Sequence, residues 1–156
     1  MEQFQAAPGL IEALIAQARR AAPQEACGLL LGHDGRIDTI KAARNIADAP
    51  QTHFEIDPQT LIDAHRSARS NGPQIAGYYH SHPAGPPEPS ATDRLMAAGD
   101  GKIWAIIGLG ISGDNCAGAN ADIGVDVGGG ADLGTVLFWR DTADGFERLF
   151  YVVSDS

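Results

Sequence analysis

Apolar residues Leu10, Ile11, Leu14, Ile15 and Ala18 recur at helical spacing, which predicts a helix over residues 9–20 that Pro23 closes. The run over 26–31 (ACGLLL) is continuously apolar rather than alternating, so it predicts a strand covered on both faces. Gly32, His33, Asp34 and Gly35 supply turn chemistry before a second strand over 36–42. Residues 45–51 read as a loop and 53–56 as a short extended piece. Asp57 then stands as an N-cap with Pro58 at the first helical position. The helix they open runs to about Arg69, burying Leu61 and Ile62 with His65 or Ala68, until Asn71, Gly72 and Pro73 stop it. Residues 75–79 form a strand that delivers His80 and His82. A short helix over 90–98 follows, with Leu95 and Met96 facing inward. Ile103 to Ile107 read as a central strand, and 136–139 with 146–153 as a terminal hairpin.

One segment breaks this pattern. Residues 111–135 are crowded with Gly, Asp and Asn and carry few apolar positions, which reads as a Gly-rich loop or insertion. Its aspartates invite a calcium reading, but their spacing matches neither an EF-hand nor a glycine–aspartate repeat, and a solvated loop is the expectation. With 156 residues, 44% of them hydrophobic, the chain is expected to be a single domain over 1–156.

A formal net charge of −9 repels phosphate backbones and anionic lipid, so neither nucleic acid nor membrane is an expected partner; a protein partner fits better. No apolar run is long enough to span a bilayer, and the N-terminus lacks the basic start and apolar core of a signal peptide. Two cysteines, Cys27 and Cys116, make no framework, and a reducing cytoplasm is the simplest setting. Oligomeric state stays open at this level, a homodimer included.

Chemistry gathers between Gly77 and Arg94. His80 and His82 stand two apart at a strand end, so their side chains share one face. A loop rich in proline (Pro83, Pro86, Pro87, Pro89) follows, and Ser90 N-caps the next helix. Asp93 then projects from the first turn back toward the histidines. Two imidazoles and one carboxylate form an open zinc site whose fourth position is left for water. Taken singly, each residue has a plainer role. Ser90 caps a helix, Asp93 is a favourable charge near a helix N-terminus, and an H-x-H alone occurs by chance. His33, His53 and His65 read as ordinary polar positions. It is the combination at fixed offsets that points to metal.

The order H-S-H-P, six residues, then S-x-x-D resembles the defining motif of the JAMM (MPN+) metallopeptidases, in their stand-alone prokaryotic form. Glu25, just before Ala26-Cys27-Gly28-Leu29, occupies the place of that family's upstream glutamate. The resemblance implies a mixed α+β (α/β) fold: one MPN/JAMM domain with a central mixed β-sheet flanked by helices, a cytidine-deaminase-like three-layer architecture. It implies His80, His82 and Asp93 as ligands of one Zn2+ per chain, Glu25 as general base and Ser90 as a partner for the oxyanion. It further implies hydrolysis of a peptide or isopeptide bond after the Gly-Gly end of a ubiquitin-like or sulfur-carrier protein. By residue type alone Glu55 and Glu88 rival Glu25 as the base, though neither stands before the apolar strand where the family places it. A non-catalytic MPN-type interaction module is the alternative. A zinc deaminase would require H-x-E with P-C-x-x-C, and neither occurs.

Overall fold

The computed structural model describes residues 3–110 and 134–155. In chain order the elements are β1 (Gln3–Ala6), α1 (Leu10–Ala21), β2 (Cys27–His33), β3 (Arg36–Ala43), α2 (Pro58–Arg69), β4 (Gln74–His82), α3 (Ala91–Met96), β5 (Ile103–Gly108), β6 (Thr135–Thr142) and β7 (Gly145–Val153). The stretch over 111–135, read from sequence as a Gly-rich loop or insertion, lies outside the described residues, except that Gly134 precedes β6 and Thr135 begins it.

The expected mixed sheet forms, and it curls far enough for its ends to meet. Strand order is β1-β3-β2-β4-β5-β6-β7, closed by β7 pairing with β1. The ladders are antiparallel except where β4 meets β5 and where β1 meets β3 and β7. β1 is the closing piece, and the hydrophobic pattern does not announce it. Only Phe4 and Ala6 alternate there, too short a run to read as a strand.

Strand alternation splits the interior into two clusters. Tyr79 of β4 and Ala105 and Ile107 of β5 join Leu30, Val136, Phe138 and the buried stripe of α1, Leu10, Ile11, Leu14, Ile15 and Ala18. On the opposite face, Cys27, Phe54 and Trp104 form a smaller cluster with partly buried Tyr78, Trp139 and Phe146. His80 and His82 belong to this second face, one residue out of phase with Tyr79. Gly28 permits the tight stacking between β2 and β4, because a Cβ there would lie 2.3 Å from Lys41 O and 2.4 Å from the Tyr79 ring.

Two side-chain expectations are corrected. Ile62 is 48% exposed and α2 buries no residue outright; it packs on the sheet mainly against β4, so one shallow face suffices. Leu95 and Met96 do not face inward: Leu95 is 88% exposed. Helix α3 is only six residues long, and its one buried residue is Asp93, which takes the inward position that the leucine was expected to fill.

Candidate metal centre

The site is built where β2 begins and β4 ends. In the antiparallel β2–β4 pair, Cys27 stands opposite His80. Glu25, two residues before Cys27, therefore comes to the same end and the same face as His82. Ser81 between the histidines points the other way and accepts the Ala26 N–H at 2.7 Å through Oγ, while its own N–H donates to Ala26 O at 3.1 Å. This lock continues the register past the last ladder pair.

The proline loop returns across β5. At Gly108 a Cβ would come within 2.6 Å of Pro87 N, so only glycine lets the loop lie this close. Pro87 O accepts the Trp139 indole N–H at 3.2 Å, and Pro86 O accepts from His82 Nδ1 at 2.8 Å. The chain then enters α3 through a capping box. Ser90 Oγ accepts the Asp93 N–H at 3.0 Å, and Asp93 Oδ2 accepts the Ser90 N–H at 2.9 Å. That reciprocal pair turns the Asp93 carboxylate toward β4.

His80 Nε2 lies 3.0 Å from Asp93 Oδ1, and His82 Nε2 lies 3.1 Å from Asp93 Oδ2. The three residues offer ligand atoms all within 4.8 Å of one another. A carbonyl only accepts, so His82 must carry its proton on Nδ1; in the neutral ring Nε2 then presents a lone pair to an anionic oxygen. Two lone pairs at that distance repel unless a cation, a proton or a metal, stands between them. His80 makes the same point more strongly. It is fully buried, stacked under Phe54 (ring centroids 4.3 Å, 14° between planes), and neither ring nitrogen has an aligned hydrogen-bond partner. An unsatisfied buried polar atom costs about 1–3 kcal/mol, a cost a metal ion removes. The donor set therefore fits a metal ion.

The electrostatics agree. Burial lowers the His80 pKa, offset only in part by Asp93, a direction that favours the neutral ring a metal ligand needs. Burial also acts against the charged form of Asp93, but its contacts with His80 and His82 outweigh this and hold it well below the usual carboxylate range. For His82 burial opposes protonation, yet the bonds to Asp93 and Pro86 raise its pKa overall.

Glu25 is 6% exposed and its pKa is pushed up to about 7, first by burial; His82 lowers it and Asp93 raises it. It lines a cleft of about 410 Å3 together with Gln51, Thr52, His82 and Ser90. Its sequence rivals do not share this environment: Glu55 is exposed, and Glu88 is exposed on the rim of the same cleft. Cys27 is a buried free thiol whose pKa burial, then the Glu25 charge, pushes up to about 12; Cys116 lies outside the described residues. Two contributors escaped the sequence reading, Phe54 and Trp104, whose rings pack on His80. Nothing in their spacing marks them, since only folding brings their segments beside β4.

Comparison with known proteins gives a consistent result. Residues 7–117 match the family described as prokaryotic homologs of the JAB domain. The chain is similar to a desampylase of Haloferax volcanii, 36% identical over 102 residues, covering 61% of this chain and 73% of that one. It is also similar to a probable TtuB-protein conjugate cleaving protease of Thermus thermophilus, 34% identical over 85 residues, covering 54% and 57% respectively. Among solved structures, that of a protein from Desulfitobacterium hafniense superposes with a TM-score of 0.74 at 27% identity, over 98% of this chain and 94% of that one.

Proposed function

The chain belongs to the family of prokaryotic homologs of the JAB domain, and from that premise we propose that it is a zinc metallopeptidase of the JAMM type. Its substrate is a peptide or isopeptide bond after the C-terminal Gly-Gly of a ubiquitin-like or sulfur-carrier protein. One observation carries this reading: two imidazole nitrogens and both oxygens of Asp93 converge, with a buried carboxyl, Glu25, in the adjoining cleft.

His80, His82 and Asp93 hold the ion. Zinc, when bound there, supplies Lewis acidity and lowers the pKa of a water to about 7. Glu25 works as the base: a carboxyl balanced near neutrality takes the proton of the attacking water and hands it to the departing amine. Ser90 uses an oxygen lone pair in the capping box, which leaves its O–H to donate to the substrate carbonyl oxygen as charge develops. The amide is hydrolysed by water directly, with no acyl-enzyme. The names of two relatives, a desampylase and a conjugate-cleaving protease, support a protein conjugate as substrate class. Among the described residues no helix is long and apolar enough to cross a membrane, and we place the activity in the cytoplasm.

The test combines metal analysis with incubation of Gly-Gly-terminated carrier fusions, with and without chelator. Zinc at one per chain and chelator-sensitive cleavage are expected. Glu25→Gln retains zinc and loses about 100-fold or more in kcat, whereas His80→Ala and Asp93→Ala lose both metal and activity. Cleavage by Glu25→Gln at the wild-type rate removes Glu25 as the base.

A further inference from the structure

The stretch between β3 and α2 contains one isolated pairing, Asn45 with Ile56, and otherwise no regular ladder. Backbone bonds close it, Ile46 N–H to Glu55 O at 2.9 Å, Asp57 N–H to Arg44 O at 3.1 Å and His53 N–H to Ala49 O at 2.9 Å, and the Asn45 side chain ties it to the start of β2. Nδ2 donates to Glu25 O at 3.0 Å and to His53 O at 2.9 Å, with Pro50 O a third acceptor at 3.3 Å. Oδ1 accepts from the N–H groups of Ala47 and Glu55, each at 3.1 Å. The partners themselves orient the amide, because carbonyls only accept and backbone N–H groups only donate. Both donors and both lone pairs of the side chain are thereby used.

The loop so organised returns to the candidate base. The Glu25 N–H donates to Pro50 O at 2.7 Å. Glu25 precedes the first ladder residue of β2, so its N–H and its C=O are both held by this loop and by Asn45 rather than by the sheet. The direction of a side chain follows from its backbone dihedrals, and a residue outside the ladder keeps its freedom unless something else removes it. The same loop lays Phe54 on the His80 ring. Asn45 itself stays outside the cleft that Glu25 shares with His82 and Ser90.

We propose that Asn45 is a positioning residue: by gripping the Glu25 carbonyl and shaping the 45–56 loop, it aims the Glu25 carboxylate at the metal centre. The proposal rests on Glu25 being the base, and its experiment separates the two claims. Asn45→Asp keeps the shape and both acceptor contacts but turns a carboxylate oxygen toward three carbonyls; Asn45→Ala removes every contact. Three measurements are made on each full-length variant well below its Tm: kinetics on a Gly-Gly-terminated carrier fusion, zinc content, and amide hydrogen exchange. Both variants are expected to lose about 10- to 100-fold in kcat, with KM within about twofold and zinc still bound at His80, His82 and Asp93. Exchange of the Glu25 N–H is expected to accelerate while the neighbouring Ala26 N–H, bonded to Ser81 Oγ, stays protected. An unchanged kcat in the folded, zinc-loaded variants overturns the proposal. So does a parallel rise in exchange at Glu25 and Ala26, which marks general loosening. If the wild-type protein cleaves no fusion, the peptidase reading fails, and the exchange ratio alone then decides whether Asn45 positions Glu25.

Discussion

At the scale of single residues, burial does most of the chemical tuning. Burial lowers the His80 pKa, and it pushes that of Glu25 up to about 7. The sign for stability follows. In the metal-free protein Glu25 has a folded pKa of about 7 against an ordinary value of 4.5, so the folded state binds more protons than the unfolded one between those values. Stability then falls as pH rises through that window. A shift of this size corresponds to roughly 3 kcal/mol, at about 1.4 kcal/mol per pH unit. Glu25→Gln has no such group, so its unfolding free energy should exceed that of the wild type by more at pH 8 than at pH 5. Denaturant titrations of the two metal-free proteins at both pH values check this; parallel pH profiles would mean that Glu25 is solvated. The histidine pair and its downstream aspartate are legible in sequence because they are close in the chain. Asn45 is not: a lone asparagine in a loop looks like any turn residue until the loop folds onto Glu25.

At the scale of elements, the site depends on how closely the proline loop approaches β5. A Cβ on Gly108 meets backbone and ring atoms of Pro86 and Pro87, which have no room to swing aside. Gly108→Ala should therefore lift the loop and pull Pro86 O away from His82 Nδ1. The expected result is a loss of about 1–3 kcal/mol in stability from overpacking. Zinc affinity should weaken about 10- to 100-fold, as when a ligand's supporting hydrogen bond is lost. Chelator competition measures the second effect; an unaltered affinity would show that the loop does not orient His82. Helix α3 behaves differently. Its hold is polar, through the capping box at one end and through Asp141 at the other, whose carboxylate accepts the N–H groups of Ala98 and Gly99, each at 3.0 Å. Leu95→Lys should change stability by no more than about 0.5 kcal/mol, the usual range for an exposed position. A loss well beyond that in denaturant unfolding would return Leu95 to the interior.

At the scale of the whole molecule, an ion held by His80, His82 and Asp93 would couple segments that lie apart in the chain. His80 and His82 lie on β4, Asp93 on α3, and the stacking Phe54 between β3 and α2. A ligand bound by the native state alone stabilises by mass action, about 2.7 kcal/mol at a free concentration of 100 Kd. Thermal unfolding should thus shift upward with added zinc and downward with chelator, and His80→Ala should abolish the shift. A zinc-independent Tm in the wild-type protein would mean that the three ligands do not converge on an ion.

By itself the chain determined the helix stripe of α1, the leucine strand β2, the Asp57–Pro58 start of α2 and the H-S-H-P…S-x-x-D constellation, each a matter of residues near one another in sequence. Such features need only local geometry: a period of 3.6 or 2, a cap, a turn. Only the tertiary structure decided that β1 closes the sheet, that Leu95 faces out while Asp93 faces in, and that Glu25, to which the motif order pointed, is buried beside the site where Glu55 and Glu88 are exposed. Those outcomes turn on register and burial between segments dozens of residues apart, and no periodicity records which strand lies opposite which.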